Sequence, residues 1–345
     1  MVAPNARGGM RSVVEAYERD GFLQQEDMRV IHSYDEGSFS KRQIIFLKAL
    51  SSYIRLLATQ KVELVHIHAA MRGSFWRKAI FSTIGRLFGR PVVLHLHGSE
   101  MKPFYASQKP FAQRLIRHQL EKANSVIVLS QSWADFVGGI APAAKIDVLP
   151  NYVRVPTVAT GDEKPVVNVL FLGLVGTRKG TYDLIEAFAK VHARHPDAKL
   201  IIGGNGETER AQQAIDGLKL RDVVTLAGWV DEQGKKVLLA SSSIYVLPSY
   251  NEGLPVSVLE AMAAGLATIT TRVGGIPELI TDGVDGLLID PGDIDGLAER
   301  ISSLIADPHR RKELGDAGQK RIADAYSDQI ILPRLHAIYE HVKSS

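Results

Sequence analysis

The feature that most constrains this chain is a rhythm that runs twice. Short runs of β-branched and other apolar residues fall at 28–32, 62–67, 91–96, 125–129 and 146–149, with helical spacing at 41–59 and 72–88 among them. A polar stretch with two prolines follows, "NYVRVPTVATGDEKP" (151–165). The rhythm then restarts, with apolar runs at 166–172, 198–203, 223–227, 244–247 and 267–271. Strand–helix alternation of this kind belongs to parallel sheets covered by helices on both faces. Two such series about a linker predict two doubly wound, Rossmann-like α/β domains facing a central cleft. The ligand is then expected at the C-terminal ends of the strands. The predicted boundaries are 1–150, a linker at 151–165, a second domain at 166–325 and a terminal helical segment at 326–345.

Composition narrows the class. At 345 residues with 45% hydrophobic content, the chain can bury two sizeable cores. It has no cysteine, which excludes a disulfide framework and Cys-based zinc sites or nucleophiles. It shows neither an apolar run of membrane-spanning length nor a basic leader backed by one, so a cytoplasmic location is expected. Charge is uneven: residues 1–155 carry a net of +9 and residues 156–345 a net of −6. A basic first half suits an anionic partner such as a membrane surface, a phosphorylated lipid or nucleic acid, or is merely scattered solubilising charge. Within it, "RGSFWRKAIFSTIGRLFGR" (72–90) interleaves five arginines and lysines with large apolar residues. Such a helix either covers a sheet or lies on an anionic membrane.

Three stretches carry candidate chemistry. In "VLPSYNEGLPVSVLEAMAAG" (246–265) a strand ends at Pro248, a loop holds Glu252, Gly253 and Leu254, and a helix is expected from about Pro255. Proline suits a first helical turn, and amides near Gly253 and Leu254 would face an anion. Glu260 lies within an apolar run, where a carboxylate needs a donor; a helix-dipole role for Glu252 and a solvent-facing Glu260 are the plainer readings. In "VVNVLFLGLVGTRKGT" (166–181), Arg178 and Lys179 stand beside a glycine-rich turn, an arrangement suited to a diphosphate. Near the start, Gly8 and Gly9 precede an amphipathic run, as a phosphate-cradling loop would, although only Met1 to Pro4 stand before the loop as strand. Two further patterns compete. His66 and His68, and His95 and His97, form H-x-H pairs with each pair on one strand face. They could ligate zinc, but without a carboxylate cluster they read better as polar residues at the cleft rim, with His97 alone touching ligand. Asp293-Ile294-Asp295 has metal-binding D-x-D spacing, and N-capping of the next helix explains it more simply.

The Gly-Gly pair, the basic pair after the second half's first strand and Glu-x7-Glu at 252–260 occur together and in order. With "VLPNYV" (148–153), "GGNGE" (203–207), "LAGWV" (226–230) and "TRVGGIPELITDGVDGLLI" (271–289), they resemble the family 4 retaining glycosyltransferases of the GT-B superfamily. The resemblance implies transfer of a hexose from a nucleotide-diphosphate sugar to a hydroxyl of a glycan or lipid-linked saccharide in polysaccharide biosynthesis. No metal or other cofactor and no nucleic acid would take part. Glu252 would hold donor-sugar hydroxyls and Glu260 the ribose, while Arg178 and Lys179 would neutralise the diphosphate, helped by amides near Gly253 and Leu254, with Pro255 also beside the donor. Gly8 and Gly9 would let the first helix approach the same phosphates, and His97 would lie against the donor sugar. The terminal helix, about 328–343, would pack back across the junction. One departure stands out: the family usually has Arg directly after the glycine matched by Gly173, where this chain has Leu174. An epimerase, a phosphorylase or a non-catalytic sugar-nucleotide binder of the same fold are the alternatives. The four residues before the loop are also short for a central strand, which raises the expectation that Met1 is internal to a longer product.

Overall fold

The computed structural model describes residues 1–5, 9–156 and 167–345. The chain divides into two compact units: Met1–Tyr152 together with Asp328–Ser345, and Val153–Ser327. Most of the polar 151–165 stretch lies outside the described residues. In its described part the Val153 amide donates to the Tyr326 carbonyl at 3.1 Å inside the second unit.

The first unit is built on six parallel strands: β1 (Val2–Ala3), β2 (Ile31–His32), β3 (Val65–Ala69), β4 (Val92–Leu96), β5 (Ser125–Val128) and β6 (Ile146–Val148). Their order is β2-β1-β3-β4-β5-β6. The chain steps outward from β1 to β2, crosses back over β1 to β3, and then proceeds in order. Right-handed crossovers put the helices before and after that reversal on opposite faces. On one face lie the helices Phe39–Thr59, Gly73–Leu87 and Pro110–Lys122, where the Tyr53 hydroxyl donates to the Phe81 carbonyl at 3.1 Å and Arg86 reaches Gln119. On the other lie the helices Gly9–Arg19 and Asp328–Ser344, which set Tyr17 and Tyr339 against the histidines of β3. Strand alternation separates two cores. Val65, Ile67, Val92 and Leu94 pack with Tyr53, Phe75 and Phe81, whereas His66, His68 and His95 point the opposite way. The 72–90 segment is therefore mainly a sheet cover, with Phe75 and Phe81 fully buried and Trp76 and Ile84 packed behind them. Truncating a buried phenylalanine such as Phe81 to alanine would cost about 3–5 kcal/mol.

The second unit repeats the architecture with β7 (Asn168–Leu172), β8 (Lys199–Gly203), β9 (Val224–Gly228), β10 (Ile244–Leu247), β11 (Ala267–Thr271) and β12 (Leu287–Ile289). The order is β12-β11-β10-β7-β8-β9. The chain starts in the middle at β7, runs outward to β9, returns to β10 on the other side of β7 and continues outward. The reversal falls between β7 and β10, and at such a switch point the two loops leave in opposite directions and open a crevice. The Tyr245 hydroxyl on β10 donates to the Leu172 carbonyl at the end of β7, tying the two strand ends together.

Ten of the twelve strands lie close to the expected runs. The 28–32 run shortens to two residues because the Met28 amide is used by Leu23, closing the short helix Phe22–Gln25. β1 holds its central slot with two residues, Val2 pairing with both Ile31 and Ile67. β12 was not expected at all.

Candidate active site

The two loops at the β7/β10 switch point carry Arg178, Lys179, Glu252, Gly253 and Leu254 among the expected residues, and bring Lys179 and Glu252 into contact. After β7 the backbone is pinned to β8's loop, Gly173 donating to Gly203 at 2.9 Å and Val175 to Asn205 at 2.7 Å. A single 3-10 turn, Thr177–Lys179, then leads to Gly180 at φ +68 and the helix Thr181–Arg194. A Cβ on Gly180 would stand 2.0 Å from the Pro248 carbonyl oxygen, so only glycine lets this turn lie against the loop after β10. Gly274 closes on that loop from the other side, at φ +58, with space for a Cβ only 1.9 Å from the Glu252 oxygen. Its neighbour Gly275 donates to the Gly253 carbonyl at 2.7 Å. Between these two close approaches, Lys179 Nζ donates to Glu252 Oε1 at 2.5 Å, and the side chains are only 14% and 7% exposed. Arg178 lies outside this contact, in solvent, donating to the Asn251 carbonyl at 3.3 Å, while its own carbonyl accepts from Tyr250. Leu174 is exposed, so Arg178 supplies the only second cation on this turn.

Pro255 proves to be the N-cap of the helix Val256–Ala263, with Leu254 buried before it, so the helix begins one residue later than expected. Glu260 on this helix has the donor its apolar surroundings demand. That donor is Lys235 Nζ, from the helix Glu232–Ser241, a residue the sequence reading did not single out.

In the first unit Gly8 lies outside the described residues. Gly9 is exposed at the start of its helix, on the loop after β1, and nothing stands within 4 Å of the position a Cβ would take. The β1/β3 reversal makes this loop the first unit's own switch point. His97 follows β4, its amide donating to Ala69 at 2.9 Å. Its Nε2 is hydrogen-bonded to His68 Nδ1 at 2.7 Å, His66 Nε2 to His95 Nδ1 at 3.2 Å, and His66 Nδ1 to the Tyr339 hydroxyl at 2.5 Å. The rings stack along each strand, 4.3 Å apart for His66 and His68 and 4.1 Å for His95 and His97. His66, His68 and His95 are thus interior residues and not rim residues. β3 and β4 are central strands, and helices cover the face that these rings share. Burial, reinforced by the neighbouring imidazoles, holds His66, His68 and His95 well below the usual histidine range. Burial alone lowers His97 to about 3. All four are neutral at neutral pH, each with one donor and one acceptor nitrogen. One ring nitrogen from each of His66, His68 and His95 falls within a 4.8 Å cluster, the group among the described residues that could hold a metal. In the structure His66 Nε2 and His95 Nδ1 are hydrogen-bonded to each other.

Comparison with known proteins decides what these loops belong to. The family model described as Glycosyltransferase Family 4 matches residues 6–155, and that described as Glycosyl transferases group 1 matches 159–321. An α-maltose-1-phosphate synthase of Mycolicibacterium smegmatis is 30% identical over 292 residues, covering 75% of each chain. The chain is a family 4 glycosyltransferase. Its fold is GT-B: sucrose-phosphate synthase from Thermosynechococcus elongatus superposes with a TM-score of 0.80 at 20% identity, over 99% of this transferase and 96% of that chain. Anabaena HepE in complex with UDP-glucose gives 0.75 at 20% identity, over 100% and 98%. In the transferase, Asp293 Oδ1 accepts from the Gly296 amide at 2.9 Å as the N-cap of helix Ile294–Ala306, and Asp295 pairs with Lys190. The D-x-D spacing is accounted for by these contacts.

Proposed function

We propose that this glycosyltransferase moves a hexose from a nucleotide-diphosphate sugar to a hydroxyl of a glycan or lipid-linked saccharide, with retention of anomeric configuration, in polysaccharide biosynthesis. The observation that carries the reading is the Lys179–Glu252 contact at the β7/β10 switch point. An ammonium has three donors, and Glu252 takes one, leaving two for diphosphate oxygens. The second Glu252 oxygen accepts sugar hydroxyls. One ion pair thus sets the leaving group's charge and the sugar's orientation from a single fixed point. As the sugar–phosphate bond breaks, negative charge builds on the diphosphate, and Lys179, Arg178 and the amides near Gly253 and Leu254 stabilise it in place of a metal ion. Glu260, oriented by Lys235, takes the ribose hydroxyls, and neutral His97, oriented by His68, contacts the donor sugar. HepE's complex with UDP-glucose, on the same fold, supports this donor class. The setting we propose is the cytoplasm, at the inner face of the plasma membrane when the acceptor is lipid-linked.

A screen of nucleotide-sugars by thermal shift tests the donor, since a ligand that binds only the native state raises its melting temperature. The sugar found is then offered with chelator and candidate acceptors, and NMR reads the anomer formed. The expected product keeps the donor's anomeric configuration and forms in the presence of chelator. Inverted product, phosphate-dependent release of sugar phosphate, or binding with neither transfer nor hydrolysis would each overturn the reading.

A further inference from the structure

At the C-terminal edge of the first unit's sheet, three cations gather without a counter-charge among the described residues. Arg42 is the fourth residue of the helix Phe39–Thr59, and Arg77 and Lys78 lie in the second turn of Gly73–Leu87. Both helices start from that edge, one after β2 and the other after β3. The Arg77 guanidinium lies over the Tyr34 ring, 4.5 Å from its centroid, and its Nη1 turns back to within 3.2 Å of where a Cβ on Gly73 would stand. Stacking leaves its N–H groups without acceptors: Nε of Arg77 and Nε of Arg42 are both buried with no hydrogen-bond partner among the described residues. Lys78 is 2% exposed, and the Ser33 hydroxyl takes one of its three ammonium protons. The three feel one another. Burial, reinforced by the Arg42 charge, lowers Arg77, and burial with the Arg77 charge lowers Lys78 to about 7. The carboxylates of the flanking loops are engaged elsewhere or exposed. Asp35 accepts from Asn5 at 3.0 Å and from the Glu36 amide at 2.7 Å, Glu36 is exposed, and Glu100 pairs with Arg72 at 3.3 Å.

We propose that Arg42, Arg77 and Lys78 form an anion site that takes the phosphate monoester of a phosphorylated acceptor sugar. Partly buried cations held together need negative charge to complete them. A phosphate monoester carries about −1.5 to −2 at neutral pH, more than a carboxylate or a diester, and offers three strong acceptor oxygens. Those oxygens match what the site leaves open, the N–H groups of two guanidinium forks, and the charge of Lys78 adds to theirs. The N-termini of the two helices contribute in the same sense. A doubly wound sheet receives its ligand at this edge, beside the reversal of strand order. Assigning the phosphate to the acceptor rests on the proposed transfer reaction; the site's demand for an anion does not.

Thermal shift with inorganic phosphate, at an ionic strength held constant with chloride, tests the anion site. Phosphate should raise the melting temperature of the parent. Arg42→Gln and Arg77→Gln should each weaken its apparent affinity about tenfold or more, with unchanged circular dichroism. No response in the parent, a full response in both variants, or a response removed by Arg178→Gln and kept in Arg77→Gln would overturn the site. A hexose 1-phosphate, a hexose 6-phosphate and the unphosphorylated hexose then separate the sources. One hexose phosphate should bind more tightly than inorganic phosphate, and in the transfer assay its KM should rise about tenfold in Arg77→Gln while the donor's KM stays put. Inorganic phosphate binding as tightly as either hexose phosphate would overturn the assignment to the acceptor. Absence of transfer from every donor, with the phosphate response intact, would overturn the proposed function and leave the anion site standing.

Discussion

Lys179 and Glu252 stand 73 positions apart, yet each is the other's principal partner. Replacing either alone strands a largely buried charge, which costs about 3–5 kcal/mol when a buried pair is broken. Lys179→Met should therefore lower the melting temperature as well as turnover, the latter by roughly a hundredfold to a thousandfold as for a lost leaving-group donor. The double variant Lys179→Met with Glu252→Gln should recover most of the stability and none of the activity. Calorimetry beside a transfer assay reads both quantities. An unchanged melting temperature with near-normal turnover in Lys179→Met would refute the pairing and the role together. Sequence could name both residues, because the resemblance marks their positions, but it could not show that they touch. Nor could it find Lys235, which sits in an ordinary charged helix and matters only because helix Val256–Ala263 turns Glu260 toward it.

At the scale of elements, central parallel strands were the most legible part of the chain. β3, β4, β7 and β10 are buried on both faces, so their apolar runs announce themselves within a few residues. β1 and β12 were not legible, because two or three residues become a strand only through the neighbours they pair with. The H-x-H pairs show the limit from the other side: alternation placed each pair on one face, but nothing local revealed that β3 and β4 are adjacent and covered. That arrangement has a pH consequence. The four histidines have folded pKa values below their ordinary value of 6.5, His97 at about 3. Below pH 6.5 the unfolded chain takes up protons that the folded one refuses. Their stabilisation is thus complete above pH 6.5 and declines as pH falls through the folded pKa values, that of His97 being about 3. Stability measured by denaturant titration from pH 7 to 4 should fall with a slope of several protons, and His95→Phe should reduce that slope. A flat profile above pH 4 would contradict the burial of the cluster.

At the scale of the whole molecule, the first unit is discontinuous. The helix Asp328–Ser344 returns to it after the entire second unit: Tyr339 bonds His66, Arg334 donates to the Val148 carbonyl, and His336 meets Glu26. The family resemblance marks the helix itself, whereas its partners lie up to 273 residues away and leave no local trace. Tyr339→Ala should remove a fully buried ring at a cost of about 3–5 kcal/mol. Differential scanning calorimetry should show that cost in one unit's unfolding only, leaving the Val153–Ser327 transition in place. A variant in which both units lose stability equally would show that they unfold as one. The discontinuity also sets an order of events on the ribosome. The second unit is contiguous, so a nascent chain can complete it before the first has received its last helix. At roughly 5–20 residues per second, the intervening stretch takes on the order of 10–35 s to make. Throughout that interval the histidine side of the first sheet is without the tyrosine that closes it, which makes it the surface for a chaperone to guard.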